Sequence, residues 1–421
     1  MKLVVFAHTP PPHHGQSYMV QLMLEGFGGD WRKPHLAHHA EKYGITCYHI
    51  NARLSRDLED IGELRPAKIL VLFGHCFSAI WCRLRHGAKT LYYIPAPGKR
   101  SALFRDWMVM FLCRPFFPKI ILHWHAAGLS KWLETETQIR TRSFTYAFLK
   151  QVDMSIVLSR HNRADAEKLL PKNITLVPNG IPDPCPDFAE SVWPIRRARQ
   201  SARKKLRAGE TVSDSEQQVC GDAKKFRVLY LAHCTRDKGV FDTIAGVLRA
   251  NEKLAAEPSP LQIHLQIAGG FFNAAEEAEF KNVLAQPAAQ KFIKYLGFVS
   301  GAQKNDALRN ADLFCFPTYY CNENQPVNLI EAMAYGLPVL TTRWRSIPEL
   351  LPQDYSGLVE IRSPEQVAGA LIEMMKNPGE ESSRKTFSKN FTLDAYLQNL
   401  ADAFHAAENS AETAVLWAAA K

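Results

Sequence analysis

The chain has 421 residues and a formal net charge of +9, with 46% hydrophobic and 22% charged residues. That apolar content excludes a disordered chain, and the length exceeds what one ordinary core takes, so two domains are expected. No run of eighteen uncharged apolar residues occurs, so no bilayer span is expected. The basic residues lack the interleaved aromatics that stack bases, so nucleic acid is not an expected partner. The nine cysteines show no Cys-x-x-Cys pair, and several lie in apolar runs. Reduced, buried thiols in a cytoplasmic protein are expected, rather than a disulfide framework or a zinc site.

Short apolar strands alternate with longer helical stretches, the pattern of an α/β chain. In the first half the pattern predicts strands over 2–7, 45–50, 68–73, 90–94, 119–124 and 154–158, with helices over 17–26 and 131–151. The apolar stretch at the N-terminus is too short for a signal-peptide core and reads as the first strand. It runs into His8-Thr9-Pro10-Pro11-Pro12-His13-His14-Gly15-Gln16-Ser17, which lacks the G-x-G-x-x-G of a dinucleotide fold. Gly15 permits close backbone approach before a helix expected to start near Ser17. His8, His13 and His14 match no common zinc spacing and read as solvated loop histidines, so no metal site is expected. At the end of the 119–124 strand, alternation points His123 and His125 the same way. Residues 99–119, as a helix, place Phe104, Trp107, Met108, Phe111 and Leu112 on one face. That face either packs on a sheet or lies in an anionic membrane interface, helped by the basic run Arg196–Lys205.

Residues 182–226 hold Pro182, Pro184, Pro186 and that basic run, and read as a mobile linker or insertion. Strands are predicted over 227–232, 262–268, 292–296, 311–316 and 339–341. A last helix over 393–408 has Leu393, Tyr396, Leu397, Leu400 and Phe404 at helical spacing, followed by an Ala-rich tail, 410–421, expected to fray.

The most informative stretch is 311–340. A strand ends at Pro317, a loop carries Glu323, Asn324 and Gln325, and Pro326 stands where a first helical residue would. Gly336 and Pro338 close the helix. A polar loop feeding a helix N-terminus at the carboxyl end of a strand is a natural diphosphate site. Glu323 precedes that helix and Glu331 lies inside it. The order carboxylate, helix N-terminus, carboxylate matches sugar, diphosphate and ribose of a nucleotide sugar, since carboxylates accept strong hydrogen bonds from paired hydroxyls. The bland alternative is a capping Glu and a helix-surface Glu.

Asn322-Glu323-x-Gln325-Pro326 through Glu331-Ala332-Met333-Ala334-x-Gly336-x-Pro338-Val339 resembles the Glu-x7-Glu signature of the family 4 retaining glycosyltransferases. The segments 176–181, 230–240, 265–270, 292–300 and 310–314 resemble other motifs of that family, in the family's order. The resemblance implies a GT-B fold, two Rossmann-like doubly wound α/β domains facing a central cleft. It places an acceptor-side domain at 1–180, a nucleotide-sugar domain at 181–393, and a last helix, 394–421, packed back on the first. It implies that Glu323 and His125 attend the hexose and that Lys238 with Gly239 clamps the diphosphate. Gln325, Pro326, Val327 and Asn328 would form the helix-end site, Glu331 would take the ribose, and Gly15 and Gln16 would touch donor or acceptor.

The family's usual clamp arginine, five or six residues before the lysine, is replaced by His233 and Ala232. Arg236 or a protonated His233 is then the candidate second cation. The implied reaction is metal-independent hexosyl transfer with retention, from a UDP- or GDP-sugar to a glycan or lipid-linked glycan acceptor. No separate cofactor is expected. The implied setting is cytoplasmic, with possible peripheral contact at the inner face of the membrane. The alternatives are a nucleotide-sugar hydrolase or epimerase of the same shape, or a non-catalytic membrane or polysaccharide adaptor.

Overall fold

Two six-stranded, wholly parallel sheets organise the chain. A computed structural model describes residues 1–11, 14–33, 40–53, 66–257, 260–377 and 382–419, the side chains of 40, 41, 66 and 410–419 excepted. One unit comprises Met1–Ile181, Cys321–Gln325 and Phe391–Lys421; the other comprises Pro182–Tyr320 and Pro326–Asn390.

The first unit contains β1 (Lys2–Ala7), β2 (Thr46–Asn51), β3 (Thr90–Tyr93), β4 (Lys119–Trp124), β5 (Met154–Val157) and β6 (Asn173–Leu176), in the order β2-β1-β3-β4-β5-β6. Its central strands are buried along nearly their whole length, as strands covered by helices on both faces must be. Strand order reverses between β1 and β3, so the loops leaving these strands flank a switch-point crevice. The last helix, Leu393–Ala419, belongs to this unit and buries Tyr396, Leu397, Leu400 and Phe404. Phe404 packs edge-on against Tyr92 and near Phe27, and a Cβ on Gly26 would stand 2.3 Å from Leu397. The helix continues to Ala419, through residues expected to fray.

Three expectations for this unit are corrected. Residues 68–73 are not a strand but lie within the helix Pro66–His86. Its buried residues Leu72, Cys76, Ala79 and Cys82 recur at helical spacing, and a short apolar run cannot by itself distinguish strand from helix. The helix expected over 131–151 is two, Leu129–Glu136 and Ile139–Leu149, parted at the extended residues Thr137 and Gln138. Strand β6 was not expected; it closes the sheet edge half exposed and therefore lacks an apolar run.

The second unit contains β7 (Lys225–Leu231), β8 (Gln262–Ala268), β9 (Ile293–Gly297), β10 (Leu313–Phe316), β11 (Val339–Thr342) and the two-residue β12 (Leu358–Val359). Their order, β12-β11-β10-β7-β8-β9, is that of a dinucleotide-type sheet with its switch point between β7 and β10.

Residues 182–226, expected as a mobile linker, are instead built into this unit. The basic run forms the helix Trp193–Arg207, and Arg196, Arg199 and Arg203 share one buried face. Arg196 donates to the carbonyls of Ala311, Leu308 (3.0 Å) and Tyr335, and Arg199 donates to Asn310 O at 2.9 Å. These carbonyls are largely the unpaired ones at the end of the helix Gly301–Asn310, where positive charge is favourable. Arg203 Nη1 lies 3.1 Å from Asp312, and Arg199 lies 3.5 Å from it. Burial pushes the Asp312 carboxyl up, but Arg203, Arg199 and the Arg227 N–H together hold it below its usual range. A sequence run reads as solvated when all its residues are charged. Here the residue at every third or fourth position turns inward, and of the helix's charged residues Arg197, Lys204 and Arg207 are exposed.

Candidate active site

In the second unit the chain leaving β7 is held tightly. Tyr230 donates to the carbonyls of His233 (2.8 Å) and Lys238 (3.3 Å), Cys234 N donates to Gly270 O, and Tyr319 N donates to Asp237 O. A tight turn, Arg236–Lys238, then delivers Gly239 at φ +83 as the cap of the helix Val240–Ala255. A Cβ on Gly239 would lie 2.3 Å from the Pro317 carbonyl oxygen, so the turn requires glycine. The glycine beside Lys238 therefore lets the turn approach the end of β10. Lys238 Nζ stands 4.3 Å from the centroid of Tyr320 and 5.8 Å from that of Phe316, a cation over two rings at the switch point.

The expected second cations are directed elsewhere. Arg236 pairs with Glu279 at 2.5 Å and lies over Phe241, while the His233 ring packs 4.2 Å from Phe272. The helix after β10 is Val327–Ala334, and Pro326 is its cap rather than its first residue. Asn328 Nδ2 donates to Leu231 O at 3.0 Å and so ties the helix start to the end of β7. One turn further on, Glu331 pairs with Lys304 Nζ at 2.6 Å. Gly336, at φ +65, closes the helix, and its missing side chain leaves room for the Phe188 ring.

Glu323, Asn324 and Gln325 belong to the first unit. Asn324 is buried there: it accepts from Ser159 Oγ (3.1 Å) and donates to Trp124 O (3.3 Å) and Asn162 Oδ1 (2.9 Å). Gln325, expected as a donor contact, uses its side-chain oxygen to accept from Asn179 N and its carbonyl to accept from Asn179 Nδ2. These bonds fix Glu323, itself only 8% exposed, in the segment bound to the end of β4, the strand that leads into His125.

His125 is half-buried, and its enclosed Nε2 has no hydrogen-bond partner among the described residues. Burial, reinforced by His14, pushes its pKa down to about 3. The His123 ring lies 4.2 Å from it and bonds Tyr92 OH through Nδ1 at 2.7 Å. After β1, His14 caps the helix Gly15–Gly26, its Nδ1 accepting from Ser17 N. The helix thus starts at Gly15, two residues before the expected Ser17, with Gly15 and Gln16 in its first turn. His14 Nε2 lies 2.8 Å from His8 Nε2, and burial, then the neighbouring His14, pushes His8 down to about 3. His8 is thus a neutral, packed histidine and His14 a helix cap, rather than solvated loop residues; His13 lies outside the described residues.

The first unit thus assembles His125 and Glu323, and the second assembles Lys238, Asn328 and Glu331. The sequence reading missed Lys304 and the anchoring of Asn324 by Ser159 and Asn162. Nothing in local spacing brings residues 159 and 162 to 324. Among the described residues no three His, Cys, Asp or Glu side chains converge as a set of metal ligands. All nine cysteines are free thiols, and only Cys321 is exposed.

The paired doubly wound sheets define the two-domain α/β GT-B fold. Residues 214–393 match the family model described as glycosyl transferases group 1. The chain is similar in structure to Anabaena HepE, crystallised in complex with UDP, with a TM-score of 0.61 and 13% identity over 96% of this chain and 100% of that one. It is also similar to sucrose-phosphate synthase from Thermosynechococcus elongatus, with a TM-score of 0.64 and 17% identity over 96% and 98% of the two chains. In sequence, 100 residues are 31% identical to the amylovoran biosynthesis glycosyltransferase AmsK of Erwinia amylovora. That match spans 23% of this chain and a quarter (25%) of the relative's length.

Proposed function

We propose that the protein is a retaining glycosyltransferase. It transfers a hexosyl group from a UDP- or GDP-sugar to a hydroxyl of a glycan or lipid-linked glycan, in polysaccharide or glycolipid assembly. The observation that carries this reading is the second unit's switch point, where Lys238 and the start of the helix Val327–Ala334 follow β7 and β10. Breaking the anomeric carbon–phosphate bond puts negative charge on the departing diphosphate. A fixed lysine and helix-end N–H groups stabilise that charge without reorganising. Glu331, oriented by Lys304, keeps lone pairs for the ribose diol, while Glu323 and His125 attend the hexose. Because His125 is neutral, it offers hydrogen bonding without charge at the sugar.

Retention follows if the leaving phosphate takes the acceptor's proton on the same face, with Glu323 positioning the sugar rather than attacking it. The group 1 family match over residues 214–393 and the similarity to AmsK support glycosyl transfer in polysaccharide biosynthesis, and HepE's binding of UDP supports a uridine donor. We place the reaction in the cytoplasm without a metal. The test is release of nucleoside diphosphate from a panel of UDP- and GDP-sugars, with and without an acceptor glycan and with EDTA. Acceptor-dependent release that survives EDTA is expected. Release without acceptor would instead indicate a hydrolase, no release from any donor would indicate an adaptor, and rescue only by magnesium or manganese would overturn the metal-free account.

A further inference from the structure

The helix Pro66–His86 turns one narrow face, Leu72, Cys76, Ala79 and Cys82, into the first unit's core. Its opposite face is also apolar. Leu70, Val71, Phe73, Phe77, Trp81 and Leu84 are all exposed, with Phe77, Trp81 and Leu84 at 68%, 65% and 66%. By length and composition the stretch Ala67–His86 is apolar enough to cross a membrane, yet its inward face is committed to the sheet, so it lies along the unit's surface. The helix Arg100–Cys113 packs between it and Ile139–Leu149, and these add exposed Phe104, Phe111 and Phe144 to the same flank. Water-facing aromatic and leucine side chains in such a contiguous set mark a surface that something covers.

Charge says what covers it. Residues 66–133 contain ten Lys and Arg and a single carboxylate, Asp106. Asp106 is fully buried, accepts from Tyr93 OH at 2.6 Å and pairs with Arg105 at 3.0 Å, so it presents no negative charge outward. Among the described residues of 66–133 the exposed flank is therefore apolar in the middle with basic charge around it, Arg85 and Lys89 being exposed at one end of the long helix and Arg100 at the start of the next, while the exposed Glu134 that follows is paired with Lys168. A second copy of this chain would set the same basic rim against itself across a two-fold axis, which repels. An anionic bilayer takes the aromatic and leucine side chains at its interface and the Lys and Arg side chains against its headgroups.

We propose that this flank of the first unit, centred on Phe77 and Trp81, docks the protein onto the surface of an anionic lipid bilayer. The surface differs from both expectations drawn from the sequence. In the helix Arg100–Cys113, Trp107, Met108 and Leu112 are partly buried against the core, so it contributes only the edge of the patch. In the basic run Arg196–Lys205, Arg196, Arg199 and Arg203 are buried in the other unit, which leaves it fewer outward charges than its sequence offers. The proposal is independent of the donor chemistry and stands or falls separately from it.

The test is sedimentation of the full chain with vesicles of phosphatidylcholine alone or containing about a third phosphatidylglycerol. Wild type is expected to sediment with the anionic vesicles, less with neutral ones, and less as salt rises. The double variant Phe77→Gln/Trp81→Gln is expected to lose about tenfold or more in partition. Leu70→Gln/Leu84→Gln, on the same face, provides a second variant pair should the first fold poorly. Wild type remaining in the supernatant with anionic vesicles at low salt would overturn the proposal, as would equal partition of a folded variant. A dimer in size-exclusion chromatography that the same substitutions dissolve would overturn it in favour of a second copy.

Discussion

Each unit carries a doubly wound parallel sheet, yet the polar groups at the carboxyl ends of their strands differ in charge. The first packs His8, His123 and His125 near its strand ends, and burial drives all three towards the neutral form. The second buries full charges, Arg196, Arg199 and Arg203 around Asp312, and keeps Lys238 over aromatic rings at its switch point. At the carboxyl ends of the strands this contrast follows the chemistry assigned to each side, whereas the cluster of Arg196, Arg199 and Arg203 on Asp312 sits at the amino end of β10 and serves the fold. A hexose is uncharged and is best held by neutral donors and acceptors, with one carboxylate for its hydroxyls. A departing diphosphate is anionic and needs fixed positive charge. Sheet topology alone does not distinguish the units; the side chains at the strand ends do.

The contrast can be broken most sharply at Asp312. Asp312→Ala strands buried guanidinium groups and is expected to destabilise the protein by about 3–5 kcal/mol, measured by chemical denaturation. If the loss is within error, the basic helix is only laid on the surface. Next in size is Lys238→Ala, expected to lower turnover by about 10²–10³-fold while leaving the melting temperature nearly unchanged. Unaltered turnover would remove the lysine from leaving-group stabilisation.

The histidines give a pH signature of the opposite sign to a salt bridge formed by a histidinium. Their folded pKa values lie below the unfolded value, so their stabilising contribution is complete above about pH 6.5 and is lost as pH falls towards about 3. Each removes up to about 1.4 kcal/mol per pH unit in that window. Asp312, depressed from the carboxylate range, begins to lose its contribution only as pH falls below about 3.8. Denaturation at pH 7 and pH 5 should therefore show a drop that His125→Asn reduces. A flat profile would mean that the histidines titrate normally. The smallest effect is at Lys304. Lys304→Ala frees Glu331 from its partner and is expected to change nucleotide affinity by only a few-fold, because the carboxylate and not the lysine is assigned to the ribose.

Much of this was legible in the sequence where a signal is local. Strands β1, β4 and β10 hold apolar runs, β8 alternates polar and apolar residues, and the Pro326-to-Gly336 helix has its punctuation in view. Where the determinant is distant, the sequence was silent or misleading. Ile69-Leu70-Val71-Leu72-Phe73 has strand composition, and only the register of Cys76, Ala79 and Cys82 behind it reveals a helix. The arginines of 196–203 read as solvated because their acceptors, the carbonyls of 308–311 and Asp312, lie over a hundred residues away. Arg236, the candidate second cation, is paired here with Glu279, which comes a helix and a strand later in the chain. Gln325 matches the family pattern, yet here it is spent on Asn179.

The central claim is that the two carboxylates, with seven residues between them, serve opposite ends of one donor, and a pair of titrations tests it most directly. Calorimetric titration of UDP and GDP, free of sugar, should place the better nucleotide on the wild-type protein and on two variants. Glu331→Ala is expected to weaken that nucleotide by about tenfold, as befits lost hydrogen bonds to the ribose. Glu323→Gln is expected to leave its affinity within about twofold of wild type while cutting turnover strongly, since a bare nucleoside diphosphate has no hexose to hold. Equal weakening in both variants, or weakening in Glu323→Gln alone, would contradict the assignment.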